Sequence, residues 1–234
     1  MSLVYRERPA AGEPAGLLVL HHGRGADEQD LIGLADALDP QRRLHVVSPR
    51  APLTVPGWPG YHWYTVPRVG YPDRETFRDA YGQLAAFHDE TWARTGIEPD
   101  RTVLGGFSMG AVMSYALGLS GERPQPAGLL IFPGFIPTVE GWHPDLAARK
   151  GLPAFITHGR RDPIISVEFA RHAHEALAAA GLPVVYLESD AAHQIDPAHL
   201  PAATRWLNDV TGPTSDGARG SAGASQRTSH SPAA

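Results

Sequence analysis

A serine bracketed by glycines, Gly106-Phe107-Ser108-Met109-Gly110, most restricts the fold of this chain of 234 residues. A short apolar run at residues 101–105 precedes it, and helix-forming residues follow at 111–117. A strand that turns sharply into a helix through Gly-x-Ser-x-Gly lifts the serine hydroxyl above the edge of a sheet. Taken alone, the pentapeptide has an alternative interpretation as a glycine-rich turn without chemistry.

Short apolar runs alternate along the chain with longer amphipathic segments, which is typical of strands covered by helices on both faces. Six runs predict strands, at residues 17–20, 45–47, 102–104, 129–132, 154–157 and 184–187. Four segments predict helices, at residues 75–94, 109–119, 167–180 and 197–210. The predicted fold class is therefore α/β, with one domain built on a mostly parallel sheet flanked by helices.

Two segments lack this alternation. Residues 49–72 interleave prolines with tryptophans and tyrosines, which excludes a regular helix. We expect this segment to form one wall of a functional site, with a loop that only packs over the sheet as the alternative. Residues 212–234 consist mainly of Gly, Ala, Ser, Thr and Pro, with too little apolar surface to offset the entropy of ordering. We predict a domain at 1–211 and a disordered tail at 212–234.

Composition excludes several classes of function. The formal net charge is -5 and the arginines are scattered, so no basic surface for nucleic acid is predicted. The chain has no cysteine, which excludes thiolate catalysis and Cys-ligated zinc. The histidines lack metal-site spacing, so we expect neither a metal nor a cofactor. The charged N-terminal residues and the short apolar runs predict no signal peptide, no stable membrane insertion and a cytoplasmic location.

Ser108 needs two partners if it is a nucleophile, because a serine hydroxyl is weakly nucleophilic near neutral pH. Asp162 follows the predicted strand at 154–157, and His193 follows the one at 184–187. The carboxyl ends of parallel strands lie along one edge of the sheet, where α/β proteins bind their ligands. We predict that His193 accepts the Ser108 proton and that Asp162 orients the imidazole.

The choice of acid has two rivals. Asp190 and Asp196 lie close to His193 in the sequence. A neighbour in the same loop rarely reaches the face of the ring that an orienting acid must contact, which favours Asp162. His158 ends the strand that leads to Asp162, and we expect a structural role for it.

Acyl transfer also requires donors for the oxyanion that forms on the attacked carbonyl. In an elbow of this kind one donor is the backbone N–H after the nucleophile, here Met109. The segment His22-Gly23-Arg24-Gly25 follows the first predicted strand, and its glycines let the main chain of Arg24 approach the site. The alternative is a tight glycine turn ahead of a helix that starts near Asp27.

Three segments together resemble the phospholipase/carboxylesterase family of α/β-hydrolases, which includes the acyl-protein thioesterases. They are LHHGRGADE at 20–28, GGFSMGA at 105–111 and HGRRDP at 158–163, and His193 follows them. The resemblance covers about residues 14–210. It implies an α/β-hydrolase fold, a triad of Ser108, Asp162 and His193, and an oxyanion hole formed by the main chain of Arg24 and Met109. Met109 stands where the thioesterase members usually have glutamine.

The expected activity is that of a serine carboxylic-ester hydrolase on small to medium acyl esters, through an acyl-enzyme intermediate. Thioester or lysophospholipid cleavage at the same site, and a non-catalytic binding module of the same fold, are the alternatives. Only about twenty residues separate the strands at 129–132 and 154–157, too few for a separate cap domain. The expected partner is a small-molecule or lipid-like ester, bound in a pocket that Trp63, Phe135 and Ile164 help to line. Monomer and homodimer are both compatible with the sequence.

Overall fold

A seven-stranded sheet in the order β1-β3-β2-β4-β5-β6-β7 organises residues 2–212, which are the residues that the computed structural model describes. The strands are β1 (Tyr5–Arg8), β2 (Gly16–His21), β3 (Leu44–Pro49), β4 (Thr102–Gly106), β5 (Gly128–Ile131), β6 (Ala154–Gly159) and β7 (Val184–Ser189). β1 pairs antiparallel with β3, and the other neighbours pair in parallel. The predicted mostly parallel sheet is confirmed, whereas the predicted tail beyond Gly212 lies outside the described residues.

Helices connect the strands and cover both faces of the sheet. They are α1 (Ala35–Leu38), α2 (Arg74–Thr95), α3 (Met109–Gly118), α4 (Val167–Ala179) and α5 (Leu200–Val210). The longest, α2, begins where the Asp73 side chain accepts a hydrogen bond from the Thr76 N–H, and it ends at Gly96 with φ of 66°. Asp73 is thus a side-chain N-cap, and Gly96 ends the helix in the left-handed backbone conformation that glycine favours. The last predicted helix begins as a 3-10 turn at Pro197–His199 before α5.

Alternating strand residues fill two apolar layers, one on each face of the sheet. In β2, Leu17 and Val19 belong to the layer that includes α2, α3 and α4, while Leu18 and Leu20 belong to the layer that includes α1 and α5. All four side chains are fully buried. Each stabilises the fold by about 1.5–3 kcal/mol relative to an exposed position. The carboxyl end of the strand is thereby held rigidly where the site forms.

Two elements were not predicted from the sequence. β1 is an edge strand whose residues are largely polar and partly exposed, so it lacks the apolar run that identified the other strands. α1 has only four residues and follows a 3-10 turn at Leu31–Leu34. A helix this short does not show the periodic apolar pattern by which longer helices are predicted. The segment 132–153 between β5 and β6 contains neither a helix nor a strand, so no cap domain is inserted there.

A chain of buried polar side chains lies between β2, α2 and α3. The Ser114 hydroxyl donates to the Gly110 carbonyl over 3.0 Å, so its oxygen accepts from His21 Nδ1–H over 2.8 Å. His21 Nε2 then accepts from the Nε2–H of His88 over 3.1 Å. Burial lowers the pKa of His88 to about 3 and that of His21 well below its ordinary value. Both rings are therefore neutral, and each hydrogen bond has one donor and one acceptor.

The buried histidines predict that stability falls as the pH drops below about 6.5, the ordinary pKa of histidine. In that range the unfolded chain binds protons that the folded chain excludes, so unfolding is favoured. We expect His88→Gln, which keeps an N–H donor, to lose about 1–2 kcal/mol less unfolding free energy between pH 7 and pH 5 than the wild type. Urea unfolding at the two pH values measures the loss. The exposed His172→Gln is the control and should follow the wild type, and equal losses in all three proteins would contradict the assignment.

Candidate active site

Ser108 occupies a strained turn between β4 and α3. Its backbone φ of 54° and ψ of -119° lie in a region that residues other than glycine rarely adopt. The turn is possible because its neighbours are small. A Cβ on Gly106 would lie 2.5 Å from the backbone of Gly110, and a Cβ on Gly110 would overlap the carbonyl oxygen of His21. The Ser108 N–H donates to the carbonyl of Pro133 over 2.7 Å, which holds the turn from its other side.

The structure brings Ser108, His193 and Asp162 into one line of hydrogen bonds. His193 Nε2 lies 2.9 Å from Ser108 Oγ, and His193 Nδ1 lies 2.6 Å from Asp162 Oδ2. A carboxylate only accepts hydrogen bonds, so Nδ1 carries the proton and Nε2 is free to accept the serine proton. The Phe107 ring packs against the imidazole with 4.9 Å between ring centroids. The imidazole is thus held on three sides in the orientation that a general base requires.

The Asp162 carboxylate is oriented by its own turn. Its Oδ1 accepts hydrogen bonds from the N–H groups of Ile164 and Ile165 over 2.8 and 2.9 Å. The side chain is inaccessible to solvent, so these donors replace the water that would otherwise stabilise the negative charge. Oδ2 is left to face His193. The charge is therefore fixed in position beside the ring.

His158 supports Asp162 from the floor of the site. Its Nε2–H donates to the carbonyl of Ile165 over 2.8 Å and lies 3.3 Å from Asp162 Oδ2. Burial lowers its pKa, so the ring is neutral at physiological pH. The structure thus places His158 against the turn that carries Asp162, in agreement with the structural role expected for it.

The two rival acids point away from the ring. The Asp190 carboxylate binds the guanidinium of Arg160 over 2.8 Å and is exposed. The Asp196 carboxylate accepts from the N–H of Ala198 and caps the 3-10 turn before α5. Neither carboxylate contacts His193 within the described residues. The geometry leaves Asp162 as the carboxylate that reaches Nδ1.

The loop at residues 22–25 packs directly against the serine turn. A Cβ on Gly23 would lie 2.9 Å from the Phe107 ring, so the loop approaches closely because Gly23 has no side chain. His22 fixes the loop: its Nδ1–H donates to the Gly23 carbonyl over 2.7 Å, and its Nε2 accepts from the Ala51 N–H over 3.0 Å. Among residues 2–212, no acceptor binds the backbone N–H of Arg24 or of Met109. Both groups are available to a ligand.

A small cleft opens beside the serine hydroxyl. Its lining residues are Arg24, Tyr64, Val66, Val69, Ser108, Met109, Phe135, Ile164 and Ile165. Phe135 and Ile164 were predicted to line it and do so. The segment 49–72 contributes Tyr64, Val66 and Val69, in agreement with the expectation that it forms a wall.

Trp63 lies elsewhere than predicted. Its side chain is 0% exposed and is not part of the cleft wall; its neighbour Tyr64 is. The indole N–H donates to the His22 carbonyl over 2.9 Å, and the backbone N–H of Trp63 lies 3.2 Å from Met109 Sδ. Trp63 therefore supports both the loop that carries Arg24 and the first residue of α3, whose N–H groups are free. Trp63 and Tyr64 are adjacent in the sequence, which could not show which of the two rings lines the cleft.

Metal-binding and membrane-spanning features are absent from the described residues. No three His, Asp or Glu side chains there come close enough together to hold a metal ion. None of the helices in this range combines the length and the apolar character that a membrane span requires.

The family model for the phospholipase/carboxylesterases matches residues 8–211. The chain belongs to this family. Acyl-protein thioesterase 1 of Emericella nidulans is 26% identical over 224 residues, which cover 86% of this chain and 93% of the relative. The putative hydrolase MhqD of Bacillus subtilis is 25% identical over 199 residues, covering 85% of this chain and 96% of MhqD.

Solved structures of esterases share the fold of this family member. The crystal structure of esterase PE8 is similar with a TM-score of 0.75 and 30% identity, covering 90% of this chain and all of PE8. The Bacillus cereus carboxylesterase gives the same TM-score at 23% identity, covering 89% of this chain and 94% of that chain, and supports the fold alone. The predicted α/β-hydrolase fold, family and general class of ester-bond hydrolase are confirmed.

The close approach at Gly110 predicts a selective loss of stability in this family member. Gly110→Ala places a methyl group on the His21 carbonyl, so the helix and the loop must separate, at a cost of about 1–3 kcal/mol. Gly82 is the matched control, because it lies in α2 with open space around it. Gly82→Ala should stabilise by about 0.5–1 kcal/mol. Urea unfolding of both variants measures their free energies of unfolding. Similar changes in the two variants would show that the close approach at Gly110 does not limit stability.

Proposed function

We propose that this protein is a serine carboxylic-ester hydrolase acting on small to medium acyl esters through an acyl-enzyme intermediate. The hydrogen-bonded line from Ser108 through His193 to Asp162 carries the proposal. Nucleophilic catalysis by serine requires a base within about 2.6–3.2 Å and a third group that orients the base. Both distances in the line meet this requirement.

In the proposed reaction, Ser108 Oγ attacks the ester carbonyl carbon while His193 Nε2 takes the hydroxyl proton. The imidazolium is stabilised by the Asp162 carboxylate. When the tetrahedral intermediate collapses, His193 returns the proton to the departing alcohol, and the acyl group stays on Ser108. His193 then activates a water molecule, which releases the acid and restores the serine.

The free N–H groups of Arg24 and Met109 are the proposed donors to the oxyanion of that intermediate. Met109 is the first residue of α3, so its N–H also lies at the positive end of the helix dipole. Loss of one such donor typically costs about 3–4 kcal/mol of transition-state stabilisation. Because the donors are main-chain groups, they depend on loop position rather than on side-chain identity.

The cleft supports acyl esters as substrates. Its wall is largely apolar, with Val66, Val69, Phe135, Ile164 and Ile165 beside the nucleophile. Apolar walls with a few placed polar groups are typical of sites for small organic ligands. The segment between β5 and β6 leaves the site without a cap, which gives an ester direct access from solvent.

Thioester or lysophospholipid cleavage is the second candidate, because relatives named acyl-protein thioesterase 1 align with most of this chain. The same nucleophile, base and oxyanion donors serve both an oxygen and a sulfur leaving group. Turnover of an ester and a thioester with identical acyl groups separates the two candidates. A clear preference for the thioester would favour the second one.

Asp162→Asn tests the proposed function with a matched control. An asparagine amide donates a hydrogen bond to Nδ1, so His193 is held in the tautomer that cannot accept the serine proton, and kcat should fall by about 10³–10⁴-fold. Asp190→Asn removes the same charge from the neighbouring loop, where the carboxylate binds Arg160, and should retain nearly wild-type turnover. Steady-state hydrolysis of a 4-nitrophenyl ester measures both. A fully active Asp162→Asn, or an equal loss in Asp190→Asn, would remove the support for this mechanism.

A further inference from the structure

The side chain of Arg24 stands at the mouth of the cleft. Its guanidinium carbon lies 3.8 Å from the centre of the Trp58 ring, and the Trp58 side chain is 54% exposed. Arg24 is exposed as well, and it lines the same cleft as Ser108. The proposed oxyanion chemistry uses only its backbone N–H. The charged end of the side chain therefore has no role in that chemistry.

The two segments that carry Arg24 and Trp58 are bound to each other. The Gly25 N–H donates to the Tyr61 carbonyl and the Tyr61 N–H donates to the Ala26 carbonyl, each over 2.9 Å. Gly60 packs so closely on Gly25 that a Cβ there would overlap its backbone. The backbone that carries the stacked guanidinium and indole is therefore held in place. The stack restricts the rotamers of Arg24 before binding, so less side-chain entropy is lost when a ligand binds.

The positive charge of Arg24 is not neutralised by another side chain within residues 2–212. It forms no ion pair there. Glu28, four residues further along the chain, is bound by Nε and Nη2 of Arg50, the latter over 2.7 Å. Among the described residues that line the cleft, no other side chain is charged. Burial raises the pKa of Tyr64, so its hydroxyl stays neutral. An incoming ligand thus meets one cation among the side chains that line the cleft.

We propose that Arg24 makes this enzyme selective for esters that carry an ionised carboxylate in addition to the ester group. The proposal rests on the ester hydrolysis proposed above. A guanidinium binds a carboxylate through two parallel hydrogen bonds, and a rigid stack on an aromatic ring favours that geometry. A single cation matches a single negative charge, which favours a carboxylate over a doubly charged phosphate. The apolar wall receives the uncharged part of the same substrate.

Isosteric substrate pairs that differ only in charge test this proposal. One pair is the phenyl monoester of adipic acid and the phenyl ester of adipamic acid, which places the charge on the acyl side. The other is 3-acetoxybenzoate and 3-acetoxybenzamide, which places it on the alcohol side. For each pair the readout is the ratio of kcat/KM for the anionic ester to kcat/KM for the neutral amide.

Arg24→Met keeps an unbranched side-chain stem and the backbone N–H while removing the charged guanidinium. Arg68→Met is the control, because Arg68 stacks on Tyr71 with 3.6 Å between its guanidinium carbon and the ring centre and does not line the cleft. The ratio in at least one pair should fall about tenfold or more in Arg24→Met, the effect of losing a hydrogen bond between charged groups. It should be unchanged in Arg68→Met.

The outcomes separate this proposal from the proposed function. Hydrolysis of the ester bond in the neutral, amide-bearing substrates by the wild type, and its loss in Ser108→Ala, establishes the ester hydrolysis on which the proposal rests. A wild type that hydrolyses none of the four esters overturns both proposals. If turnover is present, an unchanged ratio in Arg24→Met, or an equal fall in Arg68→Met, overturns the selectivity alone. Raising the ionic strength should lower the wild-type ratio and leave that of Arg24→Met constant.

Discussion

The contact between Gly110 and the carbonyl of His21 is the constraint on which the rest of the site depends. It lets the N-terminus of α3 lie against the end of β2, which places Ser108 beside the loop that follows that strand. The strained backbone of Ser108 persists because strand, helix and the Pro133 carbonyl hold it from three directions. The Ser114 hydroxyl donates to the Gly110 carbonyl and accepts from His21, which links the contact to the buried histidines. The proposed nucleophile is thus anchored to the core.

The supporting residues each serve two parts of the site. Trp63 donates to the His22 carbonyl and contacts the Met109 sulfur, so it couples the loop that carries Arg24 to the start of α3. The turn after Asp162 donates two N–H groups to the carboxylate and turns the side chains of Ile164 and Ile165 into the cleft wall. A change in either support would therefore move the proposed catalytic and substrate-binding groups together.

Most of the fold and the candidate triad could be predicted from the sequence because they follow from local patterns. Six of the seven strands contain apolar runs, and the three residues of the line follow their strands in a recognisable order. β1 escaped prediction because an edge strand needs no apolar run. Trp63 was misplaced because tertiary packing decides which ring of the Trp63-Tyr64 pair lines the cleft. The stack of Arg24 on Trp58 joins residues far apart in sequence through irregular loops, for which the sequence carries no periodic signal.

Covalent labelling shows whether Ser108 is a nucleophile that His193 activates. A fluorophosphonate reacts with an activated serine and stays attached, and mass spectrometry of the digested protein identifies the modified residue. We expect one phosphonylated peptide in the wild type, with the label on Ser108, and no label in a folded Ser108→Ala variant. Equal labelling of both proteins, or a label on another residue, would contradict it.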